Sequence, residues 1–145
     1  MPTTTLTPAE KARLASQLRL ACMRISRRVR FESASPVPPH QFSVLVRLEE
    51  APRTPRELAS FEKVSAPSMT RTVAALVDQG WVQRADDPDD GRSVILSLTK
   101  EGRAIVRSTR QAREGWMAVR LSHLDDDEIE VLRRATDILQ RVAAE

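Results

Sequence analysis

The chain has 145 residues, with 23 Lys+Arg against 20 Asp+Glu for a formal charge of +3, and is 41% hydrophobic and 30% charged. Such a length and composition fit a soluble folded chain, one domain or a small domain with helical extensions, and exclude a disordered one. One cysteine, Cys22, and two histidines, His40 and His123, exclude an intrachain disulfide framework and a multi-cysteine zinc site.

Met1 to Thr7 has no basic segment leading into an apolar run, so no signal peptide is expected. No uncharged apolar stretch approaches the ~18 residues of a spanning helix, so the expectation is a cytoplasmic protein with no membrane partner. Charge is uneven: residues 1–35 carry 7 basic and 2 acidic groups, residues 36–98 carry 7 and 9, and residues 99–145 carry 9 and 9. Of the basic residues 20 are Arg, whose planar fork suits phosphates and guanine edges. A nucleic-acid reader built on this chain therefore works through a few placed arginines, not a broad basic field.

Thr7-Pro8-Ala9-Glu10 is a capping box opening a helix to about Phe31, with Leu14, Leu18, Ala21, Cys22, Ile25 and Val29 at helical spacing. The loop from Ser33 to Pro39 ends it. A second helix, about Pro39 to Glu49, carries Phe42, Leu45, Val46 and Leu48, and starts after Pro38 without a hydroxyl cap. Thr54-Pro55-Arg56-Glu57 opens a short third helix with Leu58 and Ala59. Ser65 caps a fourth, with Pro67 in its first turn, Met69, Val73, Leu76 and Val77 on one face, and Gly80 as a left-handed residue at its end. Trp81 to Arg84 and Ser93 to Leu98 read as two strands around an Asp-rich turn, with Val94, Leu96 and Leu98 on one face. Thr99 caps a fifth helix with a seam of Ile105, Thr109, Ala112, Trp116 and Val119. Asp125 and Glu128 box a sixth, carrying Ile129, Leu132, Leu139 and Val142.

Short helix, tight turn, helix, then hairpin is the order of a winged helix-turn-helix, so the fold class is mainly α with a small β-hairpin wing. Its fourth helix has the apolar back that packing needs. Its front of Ser65, Ser68, Thr70, Arg71 and Thr72 is small and polar enough to enter a major groove, with Pro67 in the first turn. An amphipathic core helix with a solvated front is the competing reading.

The chain resembles the MarR (multiple-antibiotic-resistance regulator) family of bacterial transcription factors. The matching stretches are Gln41–Leu45, Glu57-Leu58-Ala59, Ser65 to Arg71, Leu76 to Val82, Arg84, Asp87 to Arg92, and Leu96 to Gly102. The wing signature is an Asp two positions before an Arg, followed by a strand ending in Leu-Thr-x-x-Gly. The resemblance implies a recognition helix in the major groove and Arg92 in the minor groove, oriented by an ion pair from Asp90, where a narrow groove favours a guanidinium. It also implies a phosphate contact for Arg84, for which an exposed strand arginine is the alternative.

Helices one, five and six have apolar seams outside the winged region and must bury them somewhere. The resemblance implies that they interleave with a second copy. The expected division is an N-terminal dimerisation helix at 1–35, a winged helix-turn-helix at 36–98 and C-terminal dimerisation helices at 99–145. A two-fold homodimer would read an inverted-repeat operator on double-stranded DNA, with half-sites about 10 bp apart. Family members often release DNA on binding small lipophilic or anionic aromatic effectors. Met23, Arg27, Phe31, His40, Phe42 and Trp116 are the candidate lining by location, with core packing or a solvated face as the alternative for each.

Arg24, Arg27, Arg28 and Arg30 crowd the end of the first helix, where cations suit the dipole. Cys22 invites comparison with oxidant-sensing relatives, but it lies on the apolar stripe, where a packed and unreactive thiol is expected, and the tyrosines of that branch are absent. No phosphate loop, nucleophile elbow or ligand cluster marks an enzyme or a metal or cofactor site. The leading reading is a sequence-specific dimeric repressor released by a small effector. The alternatives are an effector-independent or architectural DNA-binding protein, a thiol-based redox sensor through Cys22, and a winged helix used for protein contact.

Overall fold

The computed structural model describes residues 5–145, so the first four residues of the segment read above for a signal peptide lie outside it. The element order is α1 (Pro8–Glu32), α2 (Pro39–Glu50), α3 (Pro55–Glu62), α4 (Ala66–Asp78), β1 (Val82–Asp86), β2 (Val94–Leu98), α5 (Lys100–Leu121) and α6 (Asp126–Ala144). This is the mainly helical winged architecture expected. The chain forms two compact units: Ala34–Ala112, and the segment up to Ser33 together with Arg113–Glu145.

The Ala34–Ala112 unit owns the core. Leu45 and Leu48 of α2, Leu58 of α3, Met69, Val73 and Leu76 of α4, Val82, Leu96 and Leu98 of the hairpin, and Val106 of α5 meet in one buried cluster. The hairpin is antiparallel, pairing Val82 with Leu98, Arg84 with Leu96 and Asp86 with Val94. Leu96 and Leu98 turn into the core, while Val94 near the tip is exposed. A one-residue third strand is added where Arg53 and Leu96 exchange backbone hydrogen bonds of 3.0 and 2.8 Å.

Local chemistry sets the ends. Thr54 and Glu57 form the reciprocal capping box on α3, and the Ser65 Oγ accepts the Ser68 N–H at 3.3 Å on α4. α2 begins at Pro38 with no side-chain cap. Gly80, at φ 77°, closes α4 in a Schellman-type turn, its N–H reaching the Val77 carbonyl at 2.9 Å and that of Trp81 reaching Leu76 at 3.1 Å. The turn between α3 and α4 rests on Lys63, whose φ of 53° is left-handed without a glycine.

The fifth helix departs from its expected seam. Val106 is fully buried and Ile105 only partly so, and Val119 is exposed. The buried track runs through Gly102, Val106, Thr109 and Trp116, because Gly102 brings the first turn against the Trp81 carbonyl. Thr109 is buried against Ser35, oxygen to oxygen 3.0 Å.

In the second unit, Thr7 and Glu10 box α1, and Asp125 and Glu128 box α6. Neither helix has a buried residue. Their apolar positions stand open, among them Leu14, Met23, Ile25, Ile129, Val131, Ile138 and Val142. Trp116 is the exception in this unit, buried between Arg28 and Arg120, whose guanidinium carbons lie 5.4 and 3.6 Å from its ring centre. Cys22 corrects the sequence expectation: it is exposed in the single chain, because none of the described residues buries that stripe of α1.

Candidate nucleic-acid interface

α4 has two faces because its sequence has two. Met69, Val73 and Leu76 lock it onto the core, while Ser65, Pro67, Thr70 and Arg71 are exposed and Ser68 and Thr72 half-exposed. The hydroxyls on that front are held in place. Thr70 donates to the Ala66 carbonyl at 2.9 Å and Thr72 to that of Ser68 at 3.2 Å, leaving their oxygens free to accept. Arg71 donates to the Ser68 Oγ at 3.3 Å, and no ion pair to a carboxylate neutralises it among the described residues. A restrained, un-neutralised arginine on a helix of small side chains is a donor aimed outward.

Two hollows flank α4. On one side Thr70 and Val73 share a hollow of about 130 Å³ with Pro55 at the start of α3, Arg84 of β1 and Val94 of β2. On the other, Ser68, Arg71, Thr72 and Ala75 share one of about 360 Å³ with His40 and Gln41 at the start of α2. The fold thus places Arg84 beside the helix front, as a phosphate-contacting residue needs.

The wing turn is built by its aspartates. Asp87 accepts the Asp89 N–H at 2.9 Å, and Asp90 accepts the Arg92 N–H at 3.0 Å and the Ser93 hydroxyl at 3.3 Å. Here the structure departs from the resemblance. Asp90 orients Arg92 through its backbone, and no ion pair joins the two side chains among the described residues. The carboxylate is engaged by the turn, and the Arg92 side chain extends into solvent.

The six residues expected around an effector do not share one setting. Phe42 belongs to the winged core and Trp116 is buried between two arginines, so neither offers an open wall. His40 faces the recognition helix instead. Met23 and Arg27 do come together, in a hollow of about 520 Å³ along α1 with Leu20, Cys22, Arg24, Ser26 and Arg30, and Arg27 lies over the exposed Phe31 ring at 5.3 Å. The basic end of α1 is partly engaged. Arg28 pairs with Glu32 at 2.9 Å, and Arg120 reaches the same carboxylate at 3.7 Å. The Arg28 hydrogen bond, foremost, holds Glu32 below the ordinary carboxylate range. Burial, and then the charge of Arg30, lowers Arg113.

Sequence reasoning missed three contributors. His40 was read as effector lining and Gln41 only as part of a family stretch, though they precede the core residue Phe42 by two and one positions. Lys63 carries no signal of its left-handed conformation. Thr99 was read as the cap of the fifth helix, and Gly102 only as part of a family signature. Together they make a junction: Thr99 Oγ donates to the Gly80 carbonyl at 2.6 Å and accepts the Gly102 N–H at 3.0 Å, while the Thr99 N–H donates to the Trp81 carbonyl at 3.1 Å. Among the described residues no group of His, Cys, Asp and Glu could hold a metal ion, and no helix is long and apolar enough to cross a membrane.

Comparison with known proteins agrees with this geometry. Residues 35–93 match the MarR family. An HTH-type transcriptional regulator of Mycobacterium tuberculosis is 47% identical over 130 residues, 88% of this chain and 91% of its own length. Among solved structures, a putative transcriptional regulator from Pseudomonas aeruginosa superposes with a TM-score of 0.78 at 32% identity, over 95% of this chain and 98% of that one. A mutant MepR from S. aureus, solved bound to an oligodeoxyribonucleotide, shares the fold at a TM-score of 0.65 and 16% identity, over 89% of this chain and 97% of that one. A two-faced helix on a winged core, in a chain this similar to such regulators over nearly its whole length, has one reading: the chain belongs to the MarR family of DNA-binding transcriptional regulators.

Proposed function

We propose that the protein is a dimeric, sequence-specific repressor that binds an inverted-repeat operator and leaves it when a small molecule binds. The observation that carries the DNA contact is the exposed front of α4, where Arg71 lacks an ion-pair partner among the described residues and Arg84 stands beside Thr70. α4 enters the major groove through Ser65, Pro67, Ser68, Thr70, Arg71 and Thr72. Arg84 holds a phosphate, and Arg92, set by the Asp90 turn, reaches the minor groove. Dimerisation is supported by α1 and α6, two helices of 25 and 19 residues with amphipathic sequences and no buried residue in the single chain. Burying those faces against a second copy supplies the two-fold axis that a palindromic site needs. A regulator acting on DNA in this way would work in the cytoplasm.

For the effector, the hollow of Met23 and Arg27 supports a lipophilic anion, because an apolar wall and a guanidinium suit a carboxylate or phenolate. A second reading, release by thiol oxidation, requires that Cys22, exposed in the single chain and in the same hollow, stays open once the α1 face is paired. Selection of genomic fragments by the purified protein, followed by mobility shift on the enriched sequence, tests the whole. The expected result is one shared inverted repeat, bound by wild type and lost in Arg71→Ala and Arg92→Ala variants that still dimerise. Unchanged binding by both variants would reject the reading. Peroxide release that persists in Cys22→Ser would reject the thiol alternative.

A further inference from the structure

A helix lying in a major groove about 12 Å wide has a phosphate rail along each flank. α4 has a hollow on each flank, and Arg84 answers one rail. The opposite hollow, about 360 Å³, is walled by Ser68, Arg71, Thr72 and Ala75 from α4 and by His40 and Gln41 from α2. Its lining holds a guanidinium, an imidazole, a carboxamide and two hydroxyls, and no carboxylate. Glu62 of α3 lines the adjoining cavity, which His40 also lines. The Glu62 Oε2 accepts the Ser43 hydroxyl at 2.7 Å, and its Oε1 lies 3.5 Å from Arg47 without a hydrogen bond, so Arg47 offsets its charge only in part. Arg71 is held to this side by its bond to Ser68, and His40 is exposed beside it.

Resting on the DNA-binding reading above, we infer that this groove seats a backbone phosphate of the operator, with His40 and Gln41 of α2 joining Arg71 as its donors. The site would be a cluster drawn from two helices and would extend the DNA-contacting face to a helix outside the helix-turn-helix pair. A phosphate presents acceptors alone, and Arg71, His40 and Gln41 offer N–H donors in a lining that holds no carboxylate, while the Thr72 hydroxyl is spent on the Ser68 carbonyl. Base readout would not draw on it, because a phosphate contact positions the protein and carries no sequence information.

The test is operator binding by anisotropy with wild type, His40→Ala, His40→Glu and Gln41→Ala, on DNA in which single phosphates are replaced by neutral methylphosphonates. The exposed position of His40 leaves the fold intact, checked by far-UV circular dichroism. His40→Ala is expected to bind about three- to tenfold more weakly. The loss should be equal on operator and on unrelated DNA, so the specificity ratio stays fixed. His40→Glu should lose more, by placing a carboxylate against the rail. At one phosphate the methylphosphonate should weaken wild type by more than the His40→Ala loss, and should weaken His40→Ala by a smaller factor than it weakens wild type, because Arg71 and Gln41 remain. Arg71→Ala should lower the slope of log affinity against log salt by about one. Wild-type affinity in His40→Ala and Gln41→Ala, or methylphosphonate losses that simply add to the His40→Ala loss at every position, would overturn the seat while leaving the DNA reading standing. Shifts of the His40 imidazole signals by inorganic phosphate, with operator affinity unchanged in His40→Ala, would make it a free-ion site and also overturn it. A wild type that binds no DNA would remove both.

Discussion

Gly102 shows how one missing methyl group sets a junction. A Cβ there would run into the Trp81 carbonyl, which is backbone and cannot step aside, whereas a Cβ on Gly115 meets nothing within 4 Å. Gly102→Ala should therefore cost about 2–3 kcal/mol. Gly115→Ala should raise stability by up to about 1 kcal/mol, from helix propensity. Thermal unfolding of the two variants would separate them by sign. Lys63 makes a converse case. Its left-handed backbone at φ 53° costs a side-chain-bearing residue roughly 1 kcal/mol, partly offset in Lys63→Gly by glycine's larger unfolded entropy. A net gain of about 0.5 kcal/mol is expected for glycine, and a loss of about 1–2 kcal/mol for Lys63→Val. A melting order of Gly, Lys, Val measures it; a valine variant as stable as wild type would contradict the strained turn.

At the scale of elements, the clip between α1 and α5 has a pH signature. Glu32, held low by Arg28 with help from Trp116 and Arg120, keeps its charge to lower pH in the folded chain than in the unfolded one. Its contribution is thus fully present above the ordinary carboxylate value of about 4.5 and is lost as pH falls through the lowered folded value. The melting temperature of wild type should drop more steeply below pH 4.5 than that of Glu32→Gln, and parallel curves would remove the clip from the stability account.

The elements also show what a sequence can disclose. Three capping boxes, at Thr7, Thr54 and Asp125, were legible because the whole signal lies within four residues. The glycine stop at Gly80 and the inward turn of Leu96 and Leu98 were legible for the same reason. The middle of the α5 seam, Thr109 and Trp116, was legible, but at its start Ile105 stood in for Val106, because the first turn is seated by Gly102 against Trp81, about twenty residues upstream. Likewise Arg71, Arg84 and Arg92 could be picked out by spacing, but His40 could not. Its neighbour across the groove is α4, and that adjacency exists only once α2 has packed.

Over the whole molecule, the apolar faces of α1 and α6 are the largest debt left by the single chain. Met23 at 57% exposed, Phe31 at 64% and Val131 at 65% are values for a surface that water does not suit. A double variant, Leu14→Glu with Ile138→Glu, should sediment as a monomer with its winged unit still folded. Operator affinity should then fall by more than about 100-fold, as two half-sites lose their linkage. A double variant that sediments as a dimer would place the two-fold contact elsewhere.

The junction at Thr99 reaches further than stability. One hydroxyl and one backbone amide tie the last turn of α4, the end of β2 and the first turn of α5 to a single point. The recognition helix therefore cannot tilt on its own: it shares its pivot with the wing and with the root of α5. Any signal arriving along α5 must turn reader and wing together, like a key on its shank. In the dimer proposed above, such a device would leave the alphabet of each half-site untouched and change only whether two keys fit their locks at once. Regulation by this chain would then be written in the spacing of its operators, and operators altered by a single base pair between half-sites would mimic the inducer.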